Sequence, residues 1–114
     1  MPDSAARTFA DPFADLREVL ERSVRTGEAS TAASDRQLAF GEPEALGGAR
    51  GRYCAQVALD ANSVTDADVA ALRAEGLDDV QIFEYTAAAA VGEGSRQLTS
   101  ALAALEQSLR RQST

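Results

Sequence analysis

Residues 64–83 read VTDADVAALRAEGLDDVQIF, and their caps predict two helices joined by a tight turn. Thr65 is placed to cap the first helix, and Asp68, three residues on, can reach back to it, a role more often filled by Glu or Gln. Val64 and Val69 flank that cap as a hydrophobic staple. Gly76 ends the helix, because glycine enters the left-handed conformation after a last turn without steric cost. Leu77 then folds back on Leu72 as the apolar contact of a Schellman turn. Asp78 opens the next helix, with Gln81 as its capping-box partner and Leu77 and Ile82 as a second staple. Leu77 serves both turns, so the segment reads as a helix–turn–helix hairpin.

Downstream, helical spacing continues from Asp79 to about Arg111, roughly 50 Å at 1.5 Å per residue. That exceeds the width of a domain of this size. Either Gly92 and Gly94 break or bend the helix, or its second half leaves the domain. Leu98, Leu102, Leu105 and Leu109 are spaced four, three and four apart, the rhythm of a coiled-coil seam. An ordinary core helix shows the same spacing, so the stripe packs either within the subunit, with residues 1–27 folded back over it, or against another copy. Ala88, Ala90, Gly92 and Gly94 permit close helix contact.

Upstream, residues 1–10 read as a mobile tail. Asp11 and Pro12 then give an N-cap and a proline at the first helical position. Phe13, Leu16, Leu20 and Val24 follow as an apolar stripe, and Gly27 stands where a left-handed C-terminal residue is wanted. Residues 28–42, EASTAASDRQLAFGE, read as a connector pinned by Leu38 and Phe40. Regular helix is expected from about Arg50 to Asn62, with Pro43 as an alternative start, since Gly47, Gly48 and Gly51 each cost about 1 kcal/mol inside a helix. No stretch alternates in the strand manner. The expectation is one all-α domain over residues 11–114, of four or five helices, with the hairpin and a long last helix towards its C-terminus.

Composition removes several function classes. The 114 residues contain no His, no Trp and one Cys, and all 11 basic residues are Arg. There is no imidazole base, no Cys-x-x-Cys pair and no His or thiolate zinc site. No cofactor and no metal are expected. A net charge of −7 repels a phosphate backbone, so nucleic acid is not an expected partner. No apolar run approaches the ~20 residues of a membrane span, and the polar, charged N-terminus lacks a signal-peptide core. A lone thiol fits a reducing cytoplasm.

The pattern V-T-D-x-D-V-x-x-L-R-x-x-G over Val64 to Gly76 is followed by Asp78-Asp79, Ile82-Phe83-Glu84, the run Ala87 to Ala90, and Gly92, Arg96 and Leu98 as G-x-x-x-R-x-L. On these residues the segment 53–105 resembles the carboxymuconolactone decarboxylase and AhpD-like (alkylhydroperoxidase-related) superfamily. It resembles small actinobacterial members without the catalytic Cys-x-x-Cys, and also the C-terminal half of longer peroxidase-related members. The resemblance implies an AhpD-like helical bundle and a homo-oligomer. Peroxidase members use a Cys-x-x-Cys pair with a nearby His and a Glu relay, and decarboxylase members also use a His. Here Val57 stands where the second cysteine would follow Cys54, and no His exists. The family's known chemistry therefore does not carry over.

Each remaining candidate has a structural reading beside its functional one. Cys54 is either a packed small hydrophobe or a reactive thiol, with Arg50 and Arg52 near enough in sequence to lower its pKa. Glu84 is either a buried acid or base, or a structural carboxylate turned to water or paired with Arg73 or Arg96. Tyr85 and Tyr53 join Glu84 as the polar groups available to a helical cavity. Asp66, Asp68, Asp78 and Asp79 match no calcium loop and sit at helix starts, where negative charge is favoured. Gly92-Glu93-Gly94 has neither a preceding strand nor a Lys, so it is no phosphate loop. The hairpin's second helix opens on two aspartates, the wrong charge for a DNA-reading helix.

Two functional expectations follow. The first is a catalytically degenerate AhpD-like protein acting as an interaction or accessory subunit, homodimeric through Leu98, Leu102, Leu105 and Leu109, and serving a partner enzyme. The alternative is a small enzyme or ligand-binding protein that uses Glu84, Tyr85 and Tyr53 in a helical cavity.

Overall fold

The structure, a computed structural model, describes residues 11–112; the tail expected at residues 1–10 lies outside them. The described residues form five α-helices and no strand: α1 (Ala14–Thr26), α2 (Ala33–Gly41), α3 (Gly48–Asp60), α4 (Asp66–Ala74) and α5 (Asp79–Gln112). Short 3-10 turns at Pro43–Leu46 and Ala61–Ser63 bracket α3. The all-α expectation holds.

The hairpin is α4 and the start of α5. Thr65 Oγ1 accepts from the Asp68 N–H at 3.3 Å, and the Thr65 N–H donates to Asp68 Oδ2 at 2.8 Å, so Asp68 closes the box. Gly76, at φ +95°, turns the chain. The Leu77 N–H reaches the Leu72 carbonyl at 3.3 Å and the Gly76 N–H reaches that of Arg73 at 2.9 Å. These are the two bonds of a Schellman motif, and Leu72 and Leu77 are both buried. The second box also closes, with reciprocal bonds between Asp78 and Gln81 at 2.9 and 2.8 Å.

Four upstream expectations need correction. Asp11 and Pro12 do not open α1, which starts at Ala14 with Phe13 as its N-cap and no side-chain cap bond; Asp11 Oδ1 instead accepts from the Phe13 N–H at 2.9 Å in the turn before the helix. Residues 28–42 are not merely a connector, because they contain α2. This helix has no side-chain N-cap bond and little periodicity to announce it. Its packing supplies the reason: Ala39 is fully buried, and the helix lies against both α1 and α5. Gly27 is not left-handed; it is extended, at φ −64°. The end of α1 is held instead by the buried Arg36 of α2, whose Nη1 and Nη2 donate to the carbonyls of Val24 at 3.2 Å and Gly27 at 2.7 Å. Finally, α3 starts at Gly48, two residues before Arg50, and ends at Asp60 in a 3-10 turn.

The core joins α2, α3 and the hairpin around the first half of α5. Tyr85, Leu72 and Cys54 are its largest fully buried side chains. Gly92 lets the α2 backbone come close: a Cβ there would lie 2.8 Å from the Phe40 carbonyl carbon and 2.9 Å from its Cα. Arg96 Nη1 donates to the Phe40 carbonyl at 2.6 Å, one turn further along α5.

The last helix runs unbroken through Gly92 and Gly94, so of the two outcomes its second half leaves the domain. A radius of gyration of 17.5 Å exceeds the ~13 Å of a compact chain of this length. Helix α1 runs antiparallel to α5, since Ser30 and Thr31 meet Glu84 while Glu21 meets Ser95. Its apolar stripe is not core: Phe13, Leu16 and Leu20 are 66, 68 and 52% exposed, and no residue of α1 is buried.

Candidate functional site

The polar groups of the domain converge on Tyr85. Its hydroxyl donates to Asp35 Oδ2 of α2 at 2.9 Å and accepts from Arg50 Nη1 of α3 at 3.2 Å. The Arg50 guanidinium also lies over the Tyr85 ring, 5.7 Å from its centroid. Arg50 Nε donates to Glu75 Oε1 at 3.2 Å, and Glu75 Oε2 accepts from the Ala49 N–H at the start of α3. One arginine thus ties together α2, α3, the end of α4 and α5. Burial, followed by the hydrogen bond to Asp35 and its charge, raises the Tyr85 pKa above that of a free phenol. A neutral phenol bonded on both sides is a strut rather than a base. The open cleft beside this hub, about 590 Å³, is lined by Asp35, Leu46, Gly47, Gly48, Arg50 and Glu75.

Glu84 does not join that hub, nor does it pair with an arginine. Oε2 accepts from the N–H and hydroxyl of Ser30 at 3.0 and 3.1 Å, and Oε1 from those of Thr31 at 2.9 and 2.7 Å. It anchors the lead-in to α2. Arg73 donates to Asp79, and Arg96 to Glu93 and the Phe40 carbonyl. Partial burial pushes the Glu84 carboxyl up, but the bonds from Ser30 and Thr31 outweigh this and hold its pKa below the ordinary value. A carboxyl so depressed stabilises the fold above its unfolded pKa and loses that effect as pH falls through the folded one. Glu84→Gln is expected to lower stability at pH 7 by about 1.5 kcal/mol, the scale of hydrogen bonds to a charged group. The difference from the parent should shrink towards pH 3, and chemical denaturation at both pH values measures it.

Tyr53 is buried, its hydroxyl 2.8 Å from Thr86 Oγ1, which itself donates to the Ile82 carbonyl at 2.7 Å. Cys54 is fully buried, and Arg50 turns away from it to Tyr85 and Glu75. Burial pushes the thiol up to about 12. A disulfide reagent at pH 8 should therefore leave native protein unmodified and react fully once it is unfolded; rapid native labelling would contradict this packing.

The four named leucines lie on the projecting half of α5, where Leu98, Leu105 and Leu109 remain 38, 39 and 37% exposed and Leu102 is half-buried. Leu20 and Leu98 line one side groove of about 210 Å³ with Val91 and Gly94. Through Leu20 it continues into a second, of about 410 Å³, with Phe13 and Leu16. The α1 share of this face was hidden in the sequence, because its stripe reads as core whatever covers it. Asp35 and Arg36 gave no signal either, lying in a segment without clear periodicity.

Among the described residues, no group of three or more His, Cys, Asp or Glu is placed to hold a metal ion. No helix among them is long and apolar enough to cross a membrane. The chain matches no family model, no curated protein and no solved structure.

Proposed function

We propose that the chain is a catalytically degenerate AhpD-like protein, a non-enzymatic interaction or accessory subunit that pairs with a second copy of itself. The observation that carries this reading is the open apolar face shared by α1 and the projecting half of α5. A soluble monomer rarely leaves so continuous an apolar surface without a use for it. The groups that an enzyme or ligand-binding protein would turn to substrate are occupied. Tyr85 joins Asp35 and Arg50, Glu84 holds Ser30 and Thr31, and Tyr53 meets Thr86.

The family part of this reading rests on the sequence resemblance of residues 53–105 alone. The lone thiol suits a reducing cytoplasm, the compartment this reading assigns. Pairing makes unfolding depend on concentration. The melting temperature should rise by roughly a few degrees for each tenfold increase in protein, and a constant value would contradict pairing. Cumene hydroperoxide turnover supported by a dithiol, and lost in Cys54→Ser, would overturn the non-enzymatic part.

A further inference from the structure

From the leucine spacing and the position of the projecting helix, we infer that two copies pair through antiparallel α5 segments on a two-fold axis beside residues 103 and 104. This rests on the self-association proposed above and adds its register. The four leucines are self-complementary about that point: Leu98 falls opposite Leu109 of the second copy, and Leu102 opposite Leu105. In an antiparallel coiled coil each a position shares a layer with a d position of its partner, and a four-three-four spacing generates four such layers about one axis. The next pair outward is Ser95 with Gln112, so the seam ends in polar residues on both sides.

The body of the domain fits this overlap. Helix α2 reaches α5 at Gly92 and Arg96 through Phe40. In the inferred register Gln112 of the second copy stops level with Ser95, where that packing begins. The paired segment therefore lies beyond the α2 contact, with α2, α3 and α4 of the two copies at opposite ends of it and each α1 running alongside its own copy's half.

Helix α1 completes the surface. Counting back from the Glu21–Ser95 contact along antiparallel helices brings Phe13 level with about residue 103, beside the axis. Phe13, Leu16 and Leu20 then flank the second copy's α5. With roughly 200 Å² for a fully exposed large side chain, the exposed fractions of this face sum to roughly 600 Å² per copy. Two copies reach the ~1,200 Å² at which specific interfaces begin.

Nitroxide labels on Gln97→Cys and, separately, Ala104→Cys test the register. Both positions are exposed and are seven residues apart, on the same face of α5, and the buried Cys54 stays unlabelled. Antiparallel pairing separates the two labels at 97 by roughly 20 Å along the axis and those at 104 by under ~2 Å. The expected result is a clearly longer distance at 97 than at 104. A dimer with equal distances at both positions, as in a parallel pair, would overturn the register while leaving self-association standing. A dimer with both distances too long for adjacent α5 helices would do the same. A monomer at micromolar concentration would overturn the register and the proposed function together.

Discussion

Replacing Gly92 with alanine is expected to destabilise the protein by about 3 kcal/mol, the upper part of the range for overpacking a tight contact. The added methyl would meet the Phe40 carbonyl carbon at 2.8 Å and its Cα at 2.9 Å. These are backbone atoms of α2 that no rotamer change can move aside. Relief would require α2 to lift from α5, loosening the Arg96 bond to the Phe40 carbonyl and exposing Ala39. The usual gain of about 1 kcal/mol for Gly to Ala within a helix offsets only part of this. Gly94 is the control, since a Cβ there meets nothing within 4 Å. Gly94→Ala should show that gain and raise the melting temperature by roughly 4 °C. Urea denaturation of both variants reads the contrast. Equal stability would mean that α2 does not rest on α5 at Gly92.

Leu102→Asp should have the second large effect, on association rather than folding. Leu102 lies in a half-buried position on the projecting part of α5, beyond the α2 contact at Gly92. In the paired state it occupies a central layer twice over, once from each copy. Burying an unpaired carboxylate there costs about 2 kcal/mol or more per copy. Two copies together should weaken pairing by at least ~10²-fold. The variant should run as a monomer with its domain helices intact by circular dichroism, and with a melting temperature that no longer depends on concentration. Unfolding of the whole chain would instead mean that the leucine stripe holds the subunit's own core.

The legible parts of the fold are those where a residue type has one job. Thr65 with Asp68, Gly76 with Leu77, and Asp78 with Gln81 are short-range devices, and all close as their spacing predicts. Helix α2 was not legible because its helicity depends on distant partners: Glu84 fixes its lead-in and Gly92 admits its backbone. Gly27 misled for a related reason, since the cap it seemed to supply comes from Arg36, nine residues on. The Asp35–Tyr85–Arg50–Glu75 hub spans four elements, and no local pattern marks such a group. Apolar stripes on α1 and α5 were readable as faces, but periodicity records only that a face is apolar. Whether it meets its own chain or another molecule is decided by where the helix ends up.

Static light scattering on the purified chain at micromolar concentration addresses self-association most directly. The expected mass is twice the 12.0 kDa of one chain, falling to that of one chain in Leu102→Asp. A 12.0 kDa species for the unaltered protein, persisting as concentration is raised, would contradict it.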